Sequence, residues 1–276
     1  MALIKNRIKR FTPIQRFFHA ILMLCFLIMG ATGLSRMYMN TPWGKWVGNL
    51  FGGYESSLLI HKIVGIAMIV GFILHFLYLV IKIDWVNFPK NLIGPDSLLP
   101  RGKDIRDFFQ HIGWLLGLKK LPEFDRWGYW EKFDYWAVFW GMVIIGVTGL
   151  MMVFPLFSTR YMPGWGLNVA FWVHRIEAIL AMAHVFIIHF FIAHLRRHNF
   201  PMDRAMFEGS ADLTAIKTEK PAWLDRLKRN GDLEKMLVPQ ASPGRIAVFY
   251  CFGYVMVAAG LFLLIGALVN VNLVLW

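Results

Sequence analysis

The chain has 276 residues, of which 57% are hydrophobic and 16% aromatic, and its mean hydropathy is +0.51. This composition excludes an ordinary soluble domain and predicts an integral membrane protein. The net charge of +12 does not indicate nucleic-acid binding, because the basic residues collect on one side of the predicted membrane topology.

Five apolar segments are long enough to cross a bilayer as helices, which takes about 20 residues. They lie at about 14–34, 57–82, 133–155, 168–195 and 246–275. The pattern predicts an all-α fold, an integral membrane helical bundle of four transmembrane helices followed by a fifth, C-terminal one. We expect residues 1–208 to form the main membrane domain, 209–244 a cytoplasmic loop and 245–276 the additional helix.

The loop between the second and third spans contains the stretch KDIRDFFQHIGWLLGL. Its apolar residues recur at helical spacing on one face, and its polar residues occupy the other. A helix over about 103–118 is too short to span a bilayer, so we expect it to lie on the cytoplasmic membrane surface.

The basic residues predict the orientation of the chain. With the N-terminus inside, 24 of the 29 Lys and Arg residues lie on the cytoplasmic side, and five lie on the outer side. Cytoplasmic loops carry such an excess of positive charge. The sequence therefore predicts a multi-pass protein of the inner (cytoplasmic) membrane, with a cytoplasmic N-terminus and Trp276 outside.

Ionisable residues within membrane spans are costly and are therefore candidates for function. Six histidines lie within the predicted spans: His19, His61, His75, His174, His184 and His189. His61 and His75 are 14 residues apart in the second span, and His174 and His189 are 15 apart in the fourth. Fourteen residues rise about 21 Å and return to within roughly 40° of the same helix face.

Two antiparallel helices with this spacing bring imidazoles together at two depths in the membrane. The arrangement suits two stacked bis-histidine haems, so the first four helices are predicted to bind haem. His61 and His174 form the expected outer pair, and His189 the inner level, with His75 or His19 as its partner. Cys25 and Cys251 stand alone, without a CxxCH motif, so the expected cofactor is non-covalent haem b, with at least two per chain.

Residues near these histidines favour the same interpretation. Lys62 and Arg175 follow the outer histidines, where haem propionates would emerge, and Arg16 with Arg196 and Arg197 could serve the inner ones. Gly30 and Gly65 leave room for a flat macrocycle. No internal repeat is evident in the sequence.

The chain resembles the membrane cytochrome b family that includes the formate dehydrogenase gamma subunit, thiosulfate reductase cytochrome b and nickel–iron hydrogenase cytochrome b. Four stretches carry the resemblance: TPIQRFFHAILMLCFLIMGATGL, LLIHKIVGIAMIVGF, EKFDYWAVFWGMVIIGVTGL and WVHRIEAILA with HFFIAHL. It implies an inner haem on His19 and His189 and an outer haem on His61 and His174. It also implies a menaquinone site at Trp127–Lys132, including Glu131, beside His189.

The sequence departs from this family pattern in three ways. His75 could replace His19 as the inner ligand, and His75 with His194 could bind a third haem. The fifth span contains no histidine, so it cannot bind haem in this way, and we expect it to contact a partner subunit.

These observations predict a b-type cytochrome subunit of a respiratory oxidoreductase complex rather than its substrate-converting subunit. Electrons would pass between a cytochrome or iron–sulfur subunit on the periplasmic side and menaquinone or another quinone. Quinone chemistry also needs protons, for which Glu131, Asp134 and His194 are candidates. The alternative hypothesis is a transporter that uses its histidines for protons or metal ions, although no broken-helix repeat with paired carboxylates supports it.

Overall fold

A computed structural model of the chain describes residues 6–196, 199–200 and 202–274. Arg197 and Trp276, which entered the sequence predictions, lie outside the described residues. The helices, in chain order, are α1 (Pro13–Met37), α2 (Pro42–Asn49), α3 (Tyr54–Ile81), α4 (Gly102–Leu115), α5 (Tyr129–Val153), α6 (Pro155–Ser158), α7 (Trp165–Ala183), α8 (Ala205–Glu208), α9 (Leu213–Glu219), α10 (Pro221–Arg229), α11 (Leu233–Met236) and α12 (Pro243–Val269). The strands are β1 (Arg7–Lys9), β2 (Ser210–Asp212) and β3 (Leu237–Val238), and short 3₁₀-helices cover Trp85–Asn87, Lys90–Ile93 and Val271–Leu273.

Five of these helices are long and apolar enough to cross a membrane, which confirms the predicted all-α membrane fold. They are α1, α3, α5, α12 and α7, which continues through π-helical segments at His184–His189 and Phe191–Leu195. The helix α4 lies where the sequence predicts an amphipathic surface helix, while its place at the membrane surface stays a prediction.

The chain divides into two compact units, which are described one at a time. The helical unit comprises Ile14–Phe76, Phe139–Asp203 and Ala247–Trp276, and the polar unit comprises Met1–Pro13, Leu77–Val138 and Arg204–Ile246.

The helical unit has an apolar core to which α1, α7 and α12 contribute. Leu34, Phe186 and Leu263 are buried there, one from each of these helices or its π-helical continuation. Gly260 of α12 allows close approach, because a Cβ atom at this position would lie 2.9 Å from the rings of both Phe186 and Phe190. The fifth span therefore packs one face within its own chain.

The polar unit contains a small antiparallel sheet in the order β2-β1-β3. Ile8 at its centre pairs with Ala211 on one side and Leu237 on the other. The side chain of Ile8 is fully buried against the amphipathic helices α9 and α10, and Trp223 is buried in the same cluster. The segment 209–244, predicted as a loop, thus contains two strands that pair with the N-terminal strand.

Candidate functional site

The predicted outer histidine pair is brought together in the helical unit. His61 lies on α3 and His174 on α7, and the centres of their imidazole rings are 6.3 Å apart. The ring planes make an angle of 70°. Both side chains are mostly buried.

A second pair is formed by His19 of α1 and His189 of the π-helical segment that continues α7. Their ring centres are 6.4 Å apart, and the planes make an angle of 39°. His189 is the inner ligand that the sequence predicts, and His19 is the partner that the family resemblance implies.

The two separations fit a metal held between imidazoles. Imidazole nitrogen binds a transition metal at about 2.0–2.1 Å, and the ring centre lies roughly 1.2 Å behind that nitrogen. Two axial imidazoles on one iron therefore have ring centres about 6.4 Å apart. The donors are also the right type, since paired neutral imidazoles are the axial ligands of low-spin haem.

A threonine from a neighbouring helix hydrogen-bonds each outer histidine. The Nδ1 atom of His61 lies 2.8 Å from Oγ1 of Thr32, and Nδ1 of His174 lies 3.2 Å from Oγ1 of Thr148. The Nδ1 atom of His174 also lies 3.1 Å from the carbonyl oxygen of Ile145. These contacts engage Nδ1, so Nε2 of each ring is the nitrogen left to face a metal.

The glycine after each threonine makes room for the same imidazole. A Cβ atom at Gly33 would lie 3.4 Å from Cε1 of His61, and one at Gly149 would lie 3.3 Å from Cε1 of His174. Gly30 and Gly65, the glycines singled out in the sequence, instead face methionine side chains, those of Met182 and Met29. Gly33 and Gly149 therefore make room for the outer imidazoles themselves, while the role of Gly30 and Gly65 beside a macrocycle stays a prediction.

The prediction that the sequence has no internal repeat is wrong at this site. The segment IMGATGL in α1 matches IIGVTGL in α5, and each supplies the Thr-Gly pair that contacts one outer histidine. The repeat was visible in two of the stretches that carry the family resemblance. Alignment of the first span with the third would have found Thr32 and Thr148.

A model of the prokaryotic cytochrome b561 family matches residues 10–209, which include both histidine pairs. The chain belongs to this family. It is a b-type membrane cytochrome, and the family therefore favours electron transfer over the transporter hypothesis. Helix α12 lies beyond the matched segment.

Several relatives of this cytochrome are subunits of formate dehydrogenases. The cytochrome b556(fdo) subunit of formate dehydrogenase from Escherichia coli (strain K12) is 23% identical over 228 residues, which cover 82% of this chain and 95% of the relative. The nitrate-inducible cytochrome b556(Fdn) subunit of the same organism is 23% identical over 217 residues, 78% of this chain and 89% of the relative. The cytochrome b556 subunit of formate dehydrogenase from Haemophilus influenzae is 25% identical over 219 residues, 79% of this chain and 82% of the relative.

A π-helical segment in the fourth span of the cytochrome ends at His189 and changes its angular position relative to His174. A regular helix would rotate His189 about 60° away from His174, because 15 residues exceed four turns. A π-turn holds one residue more than an α-turn, and the segment His184–His189 therefore offsets the additional residue. The 15-residue spacing thus becomes equivalent to the 14-residue spacing of His61 and His75.

The two remaining candidate histidines have other neighbours. The ring of His75 makes an edge contact with Phe18, with ring centres 5.1 Å apart. The ring centre of His194 lies 6.3 Å from that of His189, and the two ring planes are nearly perpendicular. Within the described residues, the buried Nδ1 atom of His194 has no hydrogen-bond partner.

The basic residues that were predicted to lie near the haem propionates differ in their surroundings. Lys62 is exposed and Arg16 is half-buried near the start of α1. The guanidinium of Arg175 lies over the ring of Trp172, 5.6 Å from its centre. Arg36, a further basic residue at the end of α1, stacks on Tyr54 and donates a 2.9 Å hydrogen bond to its hydroxyl.

Glu131 and Trp127 belong to a buried cluster of the polar unit. The carboxylate of Glu131 accepts hydrogen bonds from Arg10 and Lys220, both at 2.5 Å, and from the amide of Gly128 at 2.7 Å. The indole N–H of Trp127 donates to the carbonyl oxygen of Asp96 at 2.9 Å. Both carboxylate oxygens of Glu131 are therefore engaged in hydrogen bonds within this unit.

Lys220 is a buried cation of this cluster, and its pKa is lowered. Its side chain is only 4% exposed. Burial, with a smaller contribution from the charge of Arg10, lowers the pKa of the Lys220 ammonium to about 8 against the opposing effect of Glu131. The ammonium therefore depends on its ion pair with Glu131 to stay protonated at neutral pH.

Proposed function

We propose that this cytochrome is the membrane subunit of a respiratory oxidoreductase complex and that it carries electrons between a redox partner subunit and the quinone pool. The observation that supports this most directly is the presence of two histidine pairs, each with the ring separation that an iron between two imidazoles requires. The formate dehydrogenase relatives are themselves cytochrome subunits of redox enzymes.

We propose two haem b groups per chain. His61 and His174 would hold the outer one, and His19 and His189 the inner one. Haem with two axial histidines has no open coordination site, so it supplies one-electron transfer and does not bind substrate. The protein's own contribution is to fix the imidazoles, exclude water and set the potential through the groups around them.

The proposed quinone site lies beside His189. A quinone takes up two protons with two electrons, so a group that exchanges protons has to be nearby. His194 suits this role because it lies next to His189, and its Nδ1 atom can hydrogen-bond a quinone oxygen. Menaquinone is the quinone that the family resemblance implies.

We propose that the protein lies in the inner membrane with a cytoplasmic N-terminus and an extracytoplasmic C-terminus. The support is the distribution of 24 basic residues on one side and five on the other. The outer histidine pair would then accept or deliver electrons at the periplasmic side, where we place the cytochrome or iron–sulfur partner. Reporter fusions within 84–131 should show a cytoplasmic loop, and an extracytoplasmic reporter signal there would reverse the orientation.

The decisive experiment is haem analysis of the purified protein. A reduced-minus-oxidised spectrum should show b-type haem, and pyridine haemochrome with protein quantification should give two haems per chain. Acid acetone should extract all of it, because the bond to the protein is non-covalent. A ratio of three would support a further haem on His75 and His194, whereas a colourless preparation would refute the proposal.

A further inference from the structure

Each histidine of the outer pair contacts one copy of the same Thr-Gly motif. In each half, a Thr-Gly pair on one helix contacts a histidine on another: Thr32-Gly33 contacts His61, and Thr148-Gly149 contacts His174. Thr32 is fully buried and Thr148 is nearly so. Both hydroxyls are therefore placed where water does not compete for their hydrogen bonds.

The direction of the first hydrogen bond follows from the single proton of the threonine hydroxyl. Oγ1 of Thr32 lies 2.7 Å from the carbonyl oxygen of Ile28, which can only accept, so the hydroxyl proton points there. Oγ1 then meets the Nδ1 atom of His61 as an acceptor. The Nδ1 atom of His61 therefore carries a proton, and its Nε2 lone pair is free for a metal.

The same reasoning holds on the other side. Oγ1 of Thr148 lies 2.7 Å from the carbonyl oxygen of Ile144 and donates its proton to it. The Nδ1 atom of His174 faces two acceptors, this hydroxyl at 3.2 Å and the carbonyl oxygen of Ile145 at 3.1 Å. Since a carbonyl never donates, His174 also carries its proton on Nδ1.

We infer that Thr32 and Thr148 are positioning residues that fix the tautomer and ring orientation of the two outer ligands, and that the two differ in importance. Among the described residues, Thr32 is the acceptor that His61 has for its Nδ1 proton. His174 keeps the Ile145 carbonyl when Thr148 is lost. The inference rests on the proposed haem ligation by His61 and His174.

The structure makes an asymmetric prediction for the outer haem. An acceptor on Nδ1 increases electron donation by the imidazole and so stabilises the ferric state. Thr32→Val should therefore raise the midpoint potential of the outer haem and change the g values of its low-spin ferric signal. Thr148→Val should change both much less, and the inner haem should remain unchanged in each variant.

The experiment is a redox titration of the purified protein, followed by visible and paramagnetic resonance spectra, with haem content measured in every sample. Thr32→Ser keeps the acceptor and should restore the native potential. Thr159→Val is the matched control, because that threonine donates to the carbonyl oxygen of Pro155 on an exposed turn. If Thr32→Val does not accumulate, Thr32→Cys replaces the hydroxyl by a weak acceptor, and an intermediate rise is expected.

Two results would overturn the inference. One is a midpoint potential of the outer haem that stays the same in Thr32→Val and Thr32→Cys. The other is a shift of this potential in Thr148→Val that is as large as the shift in Thr32→Val. Failure of the proposed function looks different. In that case His61→Ala would retain both haems, whereas failure of this inference leaves the outer haem dependent on His61 and insensitive to Thr32.

Discussion

The helical unit and the polar unit bury polar groups in opposite ways. In the helical unit, the outer imidazoles are satisfied by neutral acceptors, a threonine hydroxyl for His61 and a hydroxyl and a carbonyl for His174. In the polar unit, most buried polar groups are charged and paired: Arg7 with Glu208, Arg10 and Lys220 with Glu131, Lys132 with Asp104, and Arg226 with Asp125.

The difference follows from what each unit has to do. A buried charge is tolerated only when it is paired and hydrogen-bonded, and such pairs add much to the cost of separating their partners. Ion pairs therefore suit segments that must be held together, such as the N-terminal strand and the loop after 204. Neutral hydrogen bonds suit a redox site, because they orient a ligand and tune its basicity without adding charge.

The largest expected effect concerns the inner histidine pair. His189→Ala should remove the proposed inner haem and the exchange of electrons with quinone together, because one of the two proposed ligands is lost. His19→Ala should do the same, since its ring is the one placed 6.4 Å from His189. Haem content should fall by half in both variants, as measured by pyridine haemochrome.

The control for this prediction is His75→Ala, which should retain both haems and disturb the spectrum only slightly. Loss of the inner haem in His75→Ala, with retention in His19→Ala, would instead identify His75 as the ligand. Retention of two haems in His189→Ala would contradict the entire ligand scheme. The three variants thus test whether the inner haem depends only on the two histidines whose rings the helical unit brings together.

The two units differ in how well the sequence predicts them, because their interacting residues lie at different separations along the chain. The five spans and the two depths of the histidines along a span depend on hydropathy, helical period and the spacing of residues within one helix, all of which are local properties of the sequence. The choice between His19 and His75 was open, because spacing relates residues on one helix and does not relate neighbouring helices. The π-helical segment that realigns His189 was also beyond a regular-helix argument.

The polar unit was much less predictable. Glu131 pairs with residues 121 and 89 positions away, Arg10 and Lys220. No periodic pattern relates such partners, because a charge can pair with any opposite charge that folding brings near it. The family resemblance implies a quinone site that includes Glu131, but the two buried cations that hold its carboxylate could not be predicted from the sequence.

The second prediction tests the charged cluster. Glu131→Gln leaves Arg10 and Lys220 buried without their counterion, and loss of one partner from such a cluster costs about 3–5 kcal/mol. We expect a lower thermal midpoint, followed by tryptophan fluorescence of the purified protein. Asp225→Asn removes an exposed pair with Lys228 and should change the midpoint very little. Equal midpoints for Glu131→Gln and the wild type would show that the cluster adds nothing to stability.

The third prediction tests packing in the helical unit, where shape replaces charge. Gly260→Ala would place a Cβ atom 2.9 Å from the rings of Phe186 and Phe190. Overpacking of this kind costs about 1–3 kcal/mol, so the thermal midpoint should fall. Gly244→Ala is the matched control on the same helix, because a Cβ atom there would meet no described atom within 4 Å. A more stable Gly260→Ala variant would mean that α12 can move away from these rings at no cost.

The smallest expected effect is a pH-dependent change in stability, which is specific to the ion pairs of the polar unit. Burial opposes ionisation of Asp96, but hydrogen bonds and charge from Arg226 and Arg126 outweigh it, so the pKa of this carboxyl lies below its usual value. The folded state therefore binds the proton less tightly than the unfolded state. The stabilisation is fully present above the unfolded pKa, about 3.9, and is lost as the pH falls through the lower folded value.

Asp96→Asn should thus lower the thermal midpoint at pH 7, and the difference from the wild type should shrink as the pH falls below about 4. Asp96 is half exposed, so the difference at pH 7 should stay below about 1 kcal/mol. Asp232→Asn, which removes an exposed pair with Lys235, provides the control. A difference between Asp96→Asn and the wild type that stays constant down to pH 3 would mean that Asp96 acts through a hydrogen bond that the amide cannot make, rather than through its charge. In that case the charge-based account of the polar unit would fail at this residue, since an amide keeps the shape of the carboxylate and loses only its charge and one acceptor.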